Sequence, residues 1–309
     1  MATKVEQAIR KTIAAGTANK PDQLICQDLH WRFGLRAILR GENLMLTGPT
    51  GSGKDLFVAS LAKALKRETF YIPFGATQDP RSSIIGNTHY RKDSGTFTQL
   101  SYFAQAIQRK NAVVIFDEMT RAHPEVQNLL MTVLDMDKRW LRIDEDPDTP
   151  KIEVAEGVSF LATANIGAEY VTTRGLDRAF MDRWSILELP YLSEEQELQN
   201  ITACFPELDE FDRNLLVKVV CLTREEMLKD APQLDTALST RVAKEMAALM
   251  LDGFSLTEAI HIKAYPFYST DGNPSPRQAF LQLIQAHMPD VKGNLDPIGD
   301  IPNNAINPF

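Results

Sequence analysis

The chain has 309 residues, of which 44% are hydrophobic and 24% charged, with a formal net charge of −8. This composition suits a globular protein with one large unit and a smaller one, and the acidic balance speaks against general affinity for nucleic-acid phosphates, which needs clustered Lys and Arg. The three cysteines, Cys26, Cys204 and Cys221, are far apart, so neither a disulfide frame nor a structural zinc site is expected and a reducing, cytoplasmic setting is; no signal-peptide core or membrane-length apolar run is visible.

In chain order, the first strong signal is "GENLMLT", a short apolar run of strand type, followed by the glycine-rich "GPTGSGKD". After it, "KDLFVASLAKALKRE" places Leu56, Ala59, Leu61, Ala62 and Leu65 near one helical face, with basic residues closing the last turn. The runs "TFYIPF", "NAVVIFDE", "GVSFLATAN" and "WSILELP" follow, each β-branched or aromatic, bounded by polar or turn residues and mostly separated by helical stretches. Strands alternating with helices predict an α/β fold, a parallel sheet covered on both faces.

From about Tyr191 the pattern turns helical, in "SEEQELQNITACF", "DRNLLVKVVCLTREEMLKD", "STRVAKEMAALMLDG" and "SPRQAFLQLIQAHM". The expected organisation is a sheet domain over 1–190, including an N-terminal helical segment, a helical domain over 191–288, and a flexible tail over 289–309, rich in Pro, Asn, Gly and Asp.

A strand, then G-x-x-x-x-G-K, then a helix is an arrangement in which successive backbone N–H groups surround a phosphate chain. Here it comprises Gly48, Pro49, Thr50, Gly51, Ser52, Gly53, Lys54, Asp55 and Leu56. The helix N-terminus adds partial positive charge, and Lys54 adds a full one. Further on, an apolar strand ends in Asp117 and Glu118; an acid there can hold Mg²⁺ beside a γ-phosphate, and the adjoining Glu can polarise the attacking water. Asp55 stands where Ser or Thr is usual. A carboxylate is also a hard-cation ligand, but it brings negative charge close to the phosphates, so altered metal dependence and slow turnover are expected. Asn165, after the next strand, can orient water or merely end the strand. Arg174, Arg178 and Arg183 precede the last strand and are candidates to neutralise a transferring phosphoryl group.

Taken together, these segments resemble AAA+ ATPases, and within them the MoxR-like group, related to chelatase subunits, the gas-vesicle ATPase, the McrB restriction motor and midasin. The resemblance runs from roughly Gly41 to Gly253 and is carried by "DEMTRAHPEVQNLLMTVLD", "LATAN" and "MDRW". It implies a three-layer αβα domain with a helical lid. Gly48, Gly53 and Lys54 correspond to Walker A, Asp117 and Glu118 to Walker B, and Asn165 to sensor 1. Arg183 is the first choice for the trans-acting finger and Arg178 the second; Arg241 takes sensor 2 ahead of Arg277. The resemblance further implies ATP and Mg²⁺ as ligands, a ring that is usually hexameric, and a protein substrate. A von Willebrand A-domain partner is often found with such rings. Two hairpins, in "SSIIGNTHYRKDSGTFTQLS" and "RWLRIDEDPDTPKIEVAEG", resemble the group's insertions, with Tyr90, Arg91 and Lys92 as contacts or as plain exposed turns. The leading function is an ATP-driven remodelling ring. The alternatives are a nucleotide-gated assembly module with little turnover and, less favoured, a nucleic-acid motor.

Overall fold

The computed structural model describes residues 4–22, 24–75, 79–91, 95–144, 150–165 and 176–288. The tail 289–309, Lys92 and Arg174 lie outside the described residues. The chain divides into two compact units, Met1–Pro190 and Tyr191–Phe309.

The first unit opens with helices α1 (Lys4–Ala14) and α2 (Asp28–Leu39), then strand β1 (Asn43–Thr47), helix α3 (Lys54–Ala64), strand β2 (Thr69–Pro73) and the short helix α4 (Pro80–Ile84). An antiparallel hairpin follows, β3 (Gly86–Arg91) and β4 (Gly95–Leu100), then α5 (Tyr102–Ala106), β5 (Val113–Asp117) and α6 (Pro124–Leu134). A second antiparallel hairpin, β6 (Trp140–Arg142) and β7 (Lys151–Glu153), precedes β8 (Ser159–Ala164), α7 (Arg178–Met181) and β9 (Ser185–Glu188). Both hairpins fall in the segments expected to carry insertions.

Among the described residues, β2, β5, β8, β1 and β9 form one five-stranded sheet in that order, every pairing parallel. Parallel neighbours require crossover connections, which α3, α5 and α6 help provide. The inner strands are buried except for the half-buried Asp117 that ends β5, as a sheet covered on both faces demands, whereas the edge strands β2 and β9 alternate. Side chains of one strand go to opposite faces. Val113 and Ile115 therefore join Leu44, Leu46 and Leu161 under α2 and α3, while Val114 and Phe116 join Met45, Phe160 and Ala162 under α5 and α6. Phe116 stacks on Phe160 with ring centroids 5.7 Å apart and meets Trp184 edge-on at 6.1 Å.

The phase of α3 corrects the sequence-based face. Lys54 turns inward, and Phe57, Val58, Leu61 and Ala62 follow it into the core, while Leu56 is 41% exposed and Ala59 is exposed. The inward lysine sets this rotation, since positions three, four and seven after it share its face.

The second unit is helical in its described residues: α8 (Glu194–Cys204), α9 (Glu210–Met227), α10 (Thr240–Leu251), α11 (Leu256–Ala259) and α12 (Pro276–His287). Its core gathers Leu216, Val220, Met246, Ala247, Phe280 and Ile284. Ser193 and Gln196 form a capping box before α8, and Ser275 and Gln278 another before α12, satisfying first-turn N–H groups. Among the described residues no helix is long and apolar enough to cross a membrane.

Candidate active site

Because every strand of the sheet runs the same way, their carboxyl ends share one edge, where parallel sheets commonly bind ligands. The glycine loop leaves β1 at this edge, Glu118 follows β5, and Asn165 follows β8, the strand lying between β1 and β5. Sheet order thus brings together segments that are distant in sequence.

Gly48 has φ 143°, and a Cβ there would stand 2.1 Å from the Leu189 carbonyl oxygen at the end of β9. The loop can lie this close to the sheet only with glycine at that position. Gly53, at φ 89°, caps α3. Lys54 is the first helical residue, 7% exposed, and its Nζ donates to the Gly48 and Pro49 carbonyls at 2.9 and 2.7 Å. Burial pulls its pKa down to about 8, against the charges of Asp55 and Asp117, which push it up. Among the described residues Lys54 forms no ion pair. The buried Ser52 hydroxyl finds no hydrogen-bond partner there either. Thr50 and Asp55 are exposed, and Asp55 lies in the first turn of α3.

Asp117 is clamped from β8: the Thr163 hydroxyl donates to its Oδ1 at 2.7 Å and accepts the Glu118 backbone N–H at 3.1 Å. No sequence motif marks Thr163. Its only signal is register, since Phe116 pairs with Ala162 and the next residue of each strand is therefore adjacent. Glu118 holds a left-handed backbone, φ 54°, which costs a non-glycine residue about 1–3 kcal/mol and tends to cluster at functional sites. Its carboxylate pairs with Arg121 at 3.1 Å and lies so close to Gly75 that a Cβ there would be 2.5 Å from Oε2. Asn165 is half-buried.

The arginines differ in availability. Arg183 is tied down within its own unit: Nε donates to the Met131 carbonyl at 3.0 Å and Nη2 lies 3.6 Å from Asp135. Arg178, at the start of α7, is exposed. In the helical unit, Arg241 is exposed in the first turn of α10, while Arg277 lies over the Tyr265 ring at 4.8 Å and donates to the Tyr268 carbonyl. On the β3–β4 hairpin, Tyr90 is 74% exposed; the Arg91 side chain lies outside the described residues.

Magnesium is commonly held by one or two carboxylates together with phosphate oxygens and water. Among the described residues no group of three or more His, Cys, Asp or Glu could hold an ion alone. Asp55 and Asp117 both act electrostatically on Lys54, which gives two hard oxygen donors near the lysine of the glycine loop. The residues fit a phosphate-bound divalent ion and do not form a self-sufficient metal cage.

A glycine loop between strand and helix, at the carboxyl edge of a parallel sheet and beside an acid pair, defines a P-loop nucleotidase. The AAA domain of the dynein-related subfamily matches residues 43–184. BssE of Thauera aromatica, by its name a candidate chaperone, is 31% identical over 71% of this chain and 72% of its own length. Protein NorQ of Paracoccus denitrificans is 30% identical over 70% of this chain and 76% of its own. A solved structure of a RuvB point mutant from Thermotoga maritima shares the fold, with TM-score 0.52 and 14% identity over 80% of this chain and 73% of that one. The chain belongs to the AAA+ family, in its MoxR-like group. Members of that family generally bind nucleotide with Mg²⁺, hydrolyse ATP and assemble into rings.

Proposed function

We propose that this chain is an ATP-driven ring protein that remodels or activates a partner protein. Lys54 and the backbone N–H groups of the loop Gly48–Leu56, Pro49 having none, hold the phosphates, Asp117 with Asp55 binds Mg²⁺, Glu118 polarises the attacking water and Asn165 orients it. Arg241 takes the sensor 2 role. The observation carrying this reading is Lys54: a buried cation with only carbonyl acceptors, at the first turn of a helix, is arranged to receive an anion.

A finger in trans needs an arginine that can leave its own surface. Arg178 meets this better than Arg183, whose donors already serve the carbonyl of Met131 and the carboxylate of Asp135. The acidic balance favours a protein substrate over nucleic acid. A hexameric ring, a von Willebrand A-domain partner and a cytoplasmic setting accompany this reading by family analogy. The test is steady-state ATP hydrolysis with light scattering on the full chain. Native protein should assemble with ATP and turn over; Glu118→Gln should assemble and not turn over. Arg178→Ala should lose about 10³-fold in rate with intact binding, the scale of a lost arginine finger. A chain that stays monomeric with ATP refutes the trans-finger arrangement.

Asp55 supports a second reading, a nucleotide-gated assembly module with little turnover. In that case Glu118→Gln leaves the already low rate nearly unchanged while nucleotide still drives assembly.

A further inference from the structure

Arg241 lies in the first turn of α10, and its side chain is exposed. A long side chain on a helix surface meets a ligand only as reproducibly as its helix is held, so whatever fixes the start of α10 bears on what Arg241 can do. The three residues before it are all held. The Leu238 N–H donates to the Thr223 hydroxyl at 3.0 Å, and the Leu238 carbonyl accepts from Arg224 Nε at 3.1 Å. Ser239 is the N-cap, its hydroxyl accepting from the Val242 N–H. The Thr240 hydroxyl donates to Glu197 Oε2 at 2.8 Å and accepts from Arg224 Nη2 at 3.3 Å. Glu197 on α8 and Thr223 and Arg224 on α9 are all buried.

The same guanidinium also holds the entry to the helical unit. Nη1 donates to the Leu192 carbonyl at 3.2 Å and to Glu197 at 2.8 Å, and the group lies 4.7 Å from the centre of the Tyr191 ring. Tyr191 is the first residue of that unit. One buried cation thus joins the segment that enters the unit to the segment that precedes Arg241.

Stability alone does not call for this arrangement. Apolar residues of similar volume often serve as well as a buried ion pair, or better. Glu197 Oε1, moreover, has no hydrogen-bond partner among the described residues, and a partly satisfied buried network is less favourable than apolar packing. Among the described residues, each side-chain hydrogen bond that leaves the Arg224–Glu197 pair ends on Leu192, Leu238 or Thr240. Directional bonds converging on the start of one helix fix its orientation.

We propose that Arg224 and Glu197 are positioning residues for Arg241. Through Leu238 and Thr240 they hold the first turn of α10 against the entry segment of the unit, so that Arg241 takes up its sensor 2 contact with its orientation already set. The proposal rests on the sensor 2 assignment of Arg241 above and adds residues that themselves touch no nucleotide.

The test is a double-mutant cycle on the full chain, reading affinity for β,γ-imido-ATP with Mg²⁺ by calorimetry. Thr240→Val, which keeps the side-chain shape and removes the hydroxyl, is combined with Arg241→Ala. Arg241→Ala alone should weaken binding about thirtyfold and Thr240→Val alone about fivefold. In the Arg241→Ala background the loss from Thr240→Val should fall below about twofold. Glu197→Leu with Arg224→Met, an apolar pair that keeps the core filled, should weaken binding at least as much as Thr240→Val and should also lose its effect without Arg241. Thermal midpoints are measured alongside, because a general loss of stability lowers the midpoint without coupling to Arg241. If the apolar pair does not fold, the Thr240 cycle decides alone. Equal losses with and without Arg241, or native affinity in either Thr240→Val or the apolar pair, overturn the proposal and leave the nucleotide reading standing. Native affinity in Arg241→Ala overturns the sensor 2 assignment, and this proposal with it. A native chain that does not bind the analogue overturns the nucleotide reading as well.

Discussion

Lys54 of the sheet unit and Arg224 of the helical unit are buried to nearly the same degree, 7% and 5% exposed, yet their surroundings differ in kind. Arg224 is enclosed by a complete set of partners. Nη1 donates to Glu197 at 2.8 Å, Nε to the Leu238 carbonyl at 3.1 Å, Nη2 to the Thr240 hydroxyl at 3.3 Å, and the guanidinium lies over the Tyr191 ring. Lys54 has only two carbonyls of its own loop. A buried charge costs stability unless it is paired. The helical unit settles that cost within itself, tying α8, α9 and the start of α10 together. The sheet unit leaves it unsettled at the glycine loop, where β1 gives way to α3. The comparison separates a structural cation from one held for a ligand, which burial alone does not do.

Removing one partner of each cation should give the largest contrast. Arg224→Met strands Glu197, which is fully buried and already has an unpartnered Oε1, and should cost about 3–5 kcal/mol. Adding Glu197→Leu should recover most of that loss, because replacing a buried pair with apolar groups is often close to neutral. Lys54→Met gives up two hydrogen bonds to carbonyls but relieves a burial penalty, so the ligand-free chain should change by no more than roughly 1 kcal/mol while nucleotide binding is lost. Urea unfolding followed by hydrogen exchange separately in each unit reads both. If Lys54→Met destabilises as much as Arg224→Met, the distinction between the two cations fails.

The second test uses pH. Lys54 has a folded pKa of about 8 against an ordinary value of 10.5. Between these values the unfolded chain binds the proton that the folded chain has released, so the free chain gains stability as pH rises through that window. A triphosphate reverses this, because its charge favours protonated Lys54. Above pH 8, binding should therefore take up a proton, approaching about one per site, and affinity should fall as pH rises further. Calorimetry at pH 8.5 in two buffers of different ionisation enthalpy measures the uptake. Lys54→Arg, always charged, should abolish it. Uptake that persists in Lys54→Arg would assign the proton to another group.

Much of this was legible in the sequence for a physical reason. The sheet strands announce themselves as apolar runs, and the loop as glycines at fixed spacing, because both are local properties. Contacts between strands and helices were not legible. Thr163 clamps Asp117 through β5–β8 register, and nothing in "LATAN" separates that threonine from any other strand residue. Arg224 and Glu197 lie on different helices and meet only once α8 packs on α9. On the face of α3, periodicity alone counts Leu56 as core, whereas the inward turn of Lys54 decides the phase. Arg183 matches its motif, and its engagement with Met131 and Asp135 shows only in the fold.

The smallest effect, and the one that sharpens the contrast most, concerns Asp55. In the free chain its carboxylate sits in the first turn of α3, where negative charge is favoured by about 0.3–1 kcal/mol. The same helix end, with Lys54, is where the phosphates are proposed to bind, so the carboxylate stabilises the empty site and opposes the filled one. Asp55→Thr should therefore lower the thermal midpoint of the free chain slightly and raise its affinity for ATP in EDTA, where no cation offsets the repulsion. No comparable opposition is available at Arg224, whose partners are all supplied by the chain. If both quantities move in the same direction, Asp55 is acting through the loop's conformation rather than its charge, and the picture of an electrostatically open site at Lys54 loses its support.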